Sequence, residues 1–216
     1  MQVDQAASSL APSVLKRRAA YALAAGAAAV GATDADAAVI YSGPQNISIN
    51  SGNSQTINLD GDGFNDLLLK NYVFGGGSYQ GATVSFAPGK LVGFTSGISY
   101  ASALTAGSPI NSGTLGPSFF GSMAYGAVNP NAQFNNVTNA FLGLSFPSGP
   151  NTYYGWVRVD VNNAAKTFVV KDWAYESTAG VGIAAGAGLV PEPATLGLLA
   201  CGAAGIAAIR RQKAAA

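Results

Sequence analysis

The sequence predicts an all-β fold: a β-sandwich or jelly-roll-like body with an apolar helix ahead of it and another behind. Three observations predict this. Between residues 38 and 179, short apolar or alternating runs recur between clusters of Gly, Ser, Asn and Pro, the pattern of strands joined by turns. No long stretch there carries a helical apolar period. The long apolar runs, Ala19–Val30 and Ala194–Ile209, stand at the two ends.

The expected strands are Val39–Tyr41, Ser54–Leu59, Asp66–Val73, Thr83–Ala87, Phe141–Phe146, Tyr154–Val161 and Lys166–Tyr175. Gly75-Gly76-Gly77 and Asn129–Asn139 read as loops. Residues 180–189, GVGIAAGAGL, read as a flexible linker. The most ordered pair is Tyr153–Tyr175, a hairpin turning at Asn162-Asn163. In its first strand Val157, Val159 and Val161 share one face, and Trp156, Arg158 and Asp160 the other. In its second strand Phe168, Val170 and Ala174 are expected opposite Val169, Lys171, Trp173 and Tyr175.

Composition removes several function classes. The chain has 216 residues, of which about 10% are charged, and no histidine. Ser-His-Asp and Cys-His catalysis, His-ligated zinc and an imidazole base are therefore excluded. Cys201 is the one cysteine, so no intramolecular disulfide forms and the body must rely on its core. Basic residues cluster at Lys16, Arg17 and Arg18 and at Arg210, Arg211 and Lys213. Between these clusters only Lys70, Lys90, Arg158, Lys166 and Lys171 are cationic, too few to make a field for phosphates, so no nucleic-acid partner is expected.

Residues 1–37 read as an export signal. Lys16-Arg17-Arg18 precede the apolar run, and Ala35 and Ala37 then meet the small-x-small rule of signal peptidase, with cleavage expected after Ala37. At the other end, Ala194–Ile209 is about 16 residues, roughly 24 Å as a helix and short for a hydrocarbon core of ~30 Å. Arg210, Arg211 and Lys213 follow it, as the positive-inside rule requires of a cytoplasmic tail. Pro191-Glu192-Pro193 stand ahead of it, and two prolines hold that stretch extended.

Val190-Pro191-Glu192-Pro193-Ala194, the Gly/Ala/Leu run and the Arg210-Arg211 tail closely resemble the PEP-CTERM sorting signal of Gram-negative bacteria. That resemblance implies processing near Pro-Glu-Pro by exosortase, a membrane protease-like transpeptidase. It also implies an inner-membrane intermediate and a destination at the cell surface or outside the cell. A plain C-terminal membrane anchor is the alternative. The string YGWVRVDV…VKDWAYES is similar to the close of many PEP-CTERM surface proteins.

Two stretches of the body invite chemistry. In NLDGDGFND, oxygen-bearing side chains fall at Asn58, Asp60, Asp62 and Asp66, with Gly63 allowing a sharp turn and the Phe64 carbonyl within the same loop. The stretch resembles the short Asp-rich calcium loops of FG-GAP-type repeats and the start of an EF-hand. It departs from the EF-hand in its first Asn and in Leu69, which stands where the twelfth-position Glu belongs. A Ca2+ site is expected here, with an Asp/Gly/Asn turn as the alternative.

The second stretch is aromatic: Trp156, Trp173 and Tyr175 would make a platform for a sugar ring if they shared a face. Cross-strand bracing of the hairpin is the preferred reading. A carboxylate-pair hydrolase using Asp160, Asp172 and Glu176 is disfavoured, because nothing pairs those residues across a cleft. The expected role is a non-enzymatic surface or matrix protein acting in biofilm or exopolysaccharide assembly. A carbohydrate-binding module is the alternative.

Overall fold

The computed structural model describes residues 38–75, 77–126 and 128–189, and all regular structure among them is strand. The expected signal helix, the cleavage residues Ala35 and Ala37, the apolar helix 194–209 and the sorting residues Pro191, Glu192, Pro193, Arg210 and Arg211 lie outside the described residues.

The chain runs through β1 (Val39–Tyr41), β2 (Ile47–Ile49), β3 (Asn53–Ile57), β4 (Leu67–Phe74) and β5 (Gly77–Val84). Short pieces follow: β6 (Lys90–Leu91), β7 (Gly93–Ser96), β8 (Ile98–Ala101), β9 (Ala103–Leu104) and β10 (Pro109–Ile110). The last five are β11 (Phe120–Ala124), β12 (Val137–Ser148), β13 (Asn151–Asn162), β14 (Thr167–Glu176) and β15 (Ile183–Ala184). One seven-stranded sheet has the order β1-β14-β13-β12-β6, with β2 also on β14 and β9 also on β12. A six-stranded sheet has the order β3-β4-β5-β11-β8-β7, and β10 pairs with β15 alone. The ladders are antiparallel except where β11 meets β8 at Ser122 and Tyr100.

The two large sheets share a core. Ile57, Leu67, Leu69, Ala82, Val84 and Met123 of the six-stranded sheet meet Leu142, Leu144, Phe146, Val157, Val159 and Val170 of the other. A second apolar cluster, built on Trp156, Phe141, Tyr154 and Ala174, lies on the opposite face of the seven-stranded sheet. Consequently Ala140–Phe146 is buried at every residue, odd and even alike. A strand covered on both faces reads as a continuous apolar run instead of an alternating one.

A bulge corrects the expected faces of the hairpin. Val159 pairs with Val170, but Arg158 pairs with Asp172, which leaves Lys171 as an extra residue. One inserted residue reverses the side-chain parity beyond it. Phe168 and Val170 therefore face the shared core, whereas Ala174 joins Trp156 in the second cluster. Trp173 and Tyr175 turn towards the shared core. Other boundaries differ from expectation too, as at β5, which begins at Gly77 inside the expected loop 75–77. β5 ends at Val84, where residues 83–87 were expected to be a strand, and β12 begins at Val137, inside the expected loop 129–139.

Within residues 180–189, expected as a flexible linker, the stretch 183–189 lies against the body. Ile183 and Ala184 pair with Ile110 and Pro109, and Ile183 and Ala185 are buried in the second cluster.

Polar groups tie the two sheets together at one end. The fully buried Gln80 of β5 donates from Nε2 to Asn71 Oδ1 at 2.8 Å and to Ser78 Oγ at 2.8 Å. Its Oε1 accepts from Asn163 Nδ2, in the β13–β14 turn, at 2.6 Å. Asn71 Nδ2 in turn donates to Ile49 O at 2.7 Å and Lys166 O at 3.0 Å. A buried amide without its partner costs its full desolvation penalty, so this network holds only as a whole. Gln80→Leu, which keeps the bulk but leaves Asn71 Oδ1 without its donor, is expected to lower stability by about 1–3 kcal/mol in urea unfolding.

Candidate functional site

The loop between β3 and β4 is organised by its own side chains. Asn58 Oδ1 accepts from the Gly61 N–H at 2.7 Å, Asp60 Oδ1 from Asp62 at 3.1 Å and Asp62 Oδ1 from Phe64 at 2.8 Å. Such short-range bonds are why Asn and Asp initiate turns. Gly61 and Gly63 supply the left-handed conformations, at φ of 76° and 96°. Asp66 turns the other way. It is 2% exposed, and its Oδ2 accepts from the Leu59 N–H at 2.7 Å.

The residues of the expected calcium set are each held by a local hydrogen bond. Asp66 lies beneath the loop and holds the backbone at Leu59, while Asn58, Asp60 and Asp62 each close a turn. Among the described residues, no three His, Cys, Asp or Glu side chains gather into a group that could hold a metal ion. The bonds at Asn58, Asp60 and Asp62 are those of an Asp/Gly/Asn turn.

The same loop forms one wall of a cleft of about 300 Å3. Asp62 and Phe64 face Phe86 and Ala87 from the segment after β5, and Pro147, Ser148 and Gly149 from the β12–β13 turn. Phe64 is 65% exposed and Phe86 is 47% exposed, and their rings meet edge to face at 6.2 Å. Ser148 Oγ reaches Asp62 Oδ2 at 3.4 Å, a loose contact that leaves both groups hydrogen-bonding capacity to spare. Sequence reasoning singled out Phe64 only for its carbonyl, and it missed Phe86, Pro147 and Ser148. The signal available was an aromatic residue inside a turn, where no core face calls for one.

The aromatic platform proposed on the hairpin is not formed. Trp156 is fully buried, with its ring edge to face on Phe141 at 5.2 Å. Trp173 and Tyr175 pack from the opposite face of the sheet, and Tyr175 lies edge to face with Phe146 at 5.8 Å. Burial, with the nearby charge of Asp60 second, raises the Tyr175 hydroxyl above its usual pKa.

Each of the remaining acidic residues among those described has a structural partner. Asp172, buried on the face of the second cluster, takes a two-pronged ion pair from Arg158 and a hydrogen bond from Tyr41 Oη at 3.0 Å. Asp160 accepts from the Asn139 N–H at 2.7 Å and faces Lys171 Nζ at 3.4 Å. Glu176 Oε1 accepts from the Thr178 N–H at 3.0 Å.

Burial pushes the Asp66 carboxyl up to about 6, against the partial relief of the Leu59 N–H and with added repulsion from Asp60 and Asp62. A raised carboxyl means that the folded state binds the proton more tightly than the unfolded chain, whose value is 3.8. Protonating Asp66 therefore adds stability as pH falls from 7 through 6 towards 4, by about 1–3 kcal/mol. Asp66→Asn should remove that contribution. The stability difference between the two proteins, measured in urea at pH 4.5 and 7.5, should change by this amount.

No curated protein and no solved structure matches the chain. Residues 189–212 match the family model of the PEP-CTERM protein-sorting motif. The match opens on Leu189, the last described residue, and spans the Pro-Glu-Pro, the apolar run and the paired arginines. The chain thus carries the PEP-CTERM protein-sorting motif and is, as an exosortase substrate, directed to export and the cell surface.

Proposed function

We propose that the exported body is a non-catalytic binding protein of the extracellular matrix that takes neutral, hydroxyl-rich polysaccharide in the Phe64–Phe86 cleft. The observation that carries this reading is the exposed aromatic pair lining an open cleft. Two large rings left in water at one place mark a binding surface. The C–H face of a pyranose ring is apolar enough to cover them, while Asp62 and Ser148 accept and donate hydrogen bonds to its hydroxyls. The volume suits one or two sugar rings, at the small end of ligand pockets. Asp62 is the one charged residue lining the cleft, so a polyanionic glycan meets repulsion without a compensating cation.

Glycoside hydrolysis asks for two carboxyl groups flanking the scissile bond. The cleft lining offers one, and Asp160, Asp172 and Glu176 are engaged in holding the sheet. Within this reading, delivery runs through an inner-membrane intermediate, and the body serves biofilm or exopolysaccharide assembly by adhesion.

Two experiments test the proposal. In affinity electrophoresis through neutral polysaccharides, Phe86→Ala and Phe64→Ala should each weaken retardation about fivefold to tenfold while the melting temperature stays unchanged. Undiminished binding by the double variant, or release of reducing ends, overturns the reading. For delivery, replacing Pro191-Glu192-Pro193 by alanines should leave the full-length chain in the inner membrane of fractionated cells. Unchanged processing would make residues 190–216 a plain anchor.

A further inference from the structure

The segment just ahead of the sorting motif is strapped to the body. β15 pairs with β10, and Ala185 exchanges hydrogen bonds with that loop, donating to Ser108 O and accepting from Gly107 N, each at 2.8 Å. Beyond the ladder the indole Nε1 of Trp156 donates to Ala187 O at 3.2 Å, and Ala187 and Leu189 pack on the second cluster. The glycines here serve close approach. A Cβ at Gly186 would come within 3.1 Å of Phe141 Cζ, and one at Gly188 within 2.7 Å of Val39 Cγ1. Both have a positive φ, 82° and 86°, which other residues adopt only with strain.

This packing bears on sorting because the matched motif begins at a packed residue. Leu189, the last described residue, packs on the second cluster and is the first of the matched segment. From Leu189 to Glu192 the chain spans three residues, at most about 11 Å even when fully extended. An enzyme that reads an extended peptide needs free backbone on both sides of the site, as strand-type recognition does. Residues 187–189 cannot lie in such a cleft while Trp156 holds the Ala187 carbonyl and Leu189 rests on the body.

We propose that the body and exosortase compete for residues 183–189, so that processing proceeds from the strap-released state, with Trp156 as the positioning residue that holds the strap down. The observed rate then scales with the released fraction, as for any ligand that takes a minor conformation. The inference rests on the sorting match, and the Pro-Glu-Pro replacement described above serves as its control.

The test is pulse-chase processing of the full chain in cells. Trp156→Phe keeps an aromatic ring in the cluster but removes the indole donor, and should speed processing about fivefold, the weight of one neutral hydrogen bond. Ten Gly/Ser residues inserted between Leu189 and Val190 should also speed it, and should erase the difference between Trp156 and Phe. Conversely, a disulfide between Pro109→Cys and Ala184→Cys, which face each other across the ladder, should slow processing until reductant is added. The insertion leaves every packed residue in place, so it decides the matter if Trp156→Phe fails to fold. Rates that the insertion leaves unchanged or lowers overturn the proposal. If those rates are unaffected while the Pro-Glu-Pro replacement still blocks processing, the competition fails and the sorting assignment stands.

Discussion

The fold depends on burying both faces of β12 and β13. Ala140–Phe146 of β12 and Tyr154–Val157 of β13 have no solvent side, so each stretch needs a cover above and below. The six-stranded sheet provides one cover; β1, β10 and the 183–189 strap provide much of the other. Gly143 shows how closely the second cover sits. A Cβ there would meet Val92 Cγ2 at 2.8 Å, Leu104 Cδ1 at 2.9 Å and Ile110 Cγ1 at 3.0 Å. Each large side chain fully buried in this way contributes about 1.5–3 kcal/mol. In a chain with a single cysteine, that burial and the hydrogen-bonded sheets must offset the conformational entropy of folding.

The polar exceptions follow from the same constraint. A carboxylate inside the second cover is tolerable only when it is paired and hydrogen-bonded, and Asp172, whose side chain is 1% exposed, has both Arg158 and Tyr41. The Arg158 side chain is 23% exposed, and the hydrogen bond to Asp172 raises its pKa further. The bulge at Lys171 makes this pairing attainable, since without it Asp172 would point into the shared core. At the other end of the hairpin, the Asn71–Gln80–Asn163 amides link strands of both sheets. Buried amides of this kind contribute little net stability, yet a slipped register leaves them unpaired, so they favour one alignment.

Much of this architecture was legible in the sequence, for identifiable reasons. Val157, Val159 and Val161 alternate cleanly, and the β13–β14 hairpin turns close to Asn162-Asn163, as read. The Pro-Glu-Pro, apolar and arginine order was legible because address signals are read as linear strings. What failed to show in the sequence was whatever depends on three dimensions. A bulge is one residue of pairing, invisible in the hydropathy of VVKDWAY, and it separated Trp156 from Trp173. Glycines in GVGIAAGAGL look like a flexible linker, yet at Gly186 and Gly188 they allow backbone to approach side chains. Asp60, Asp62 and Asp66 look alike in a string, although burial sets Asp66 apart. Phe64 and Phe86 have the composition of core residues, and only the fold shows that they are exposed.

The meeting of Val39 with Gly188 has a consequence for how the body is completed. β1 opens the body and the strap closes it, and both belong to the second apolar cluster. Synthesis delivers a chain from its N-terminal end, so β1 emerges long before the residues that cover it. The shared core draws on residues from Ile47 to Tyr175 and can form first, whereas the outer face of β13 stays open until residues 183–189 arrive. During that interval Trp156 and Phe141 present apolar surface, the kind of transient exposure that chaperones recognise and that drives aggregation. Completion of the body is thus a late event timed by the same residues that lead into the sorting motif.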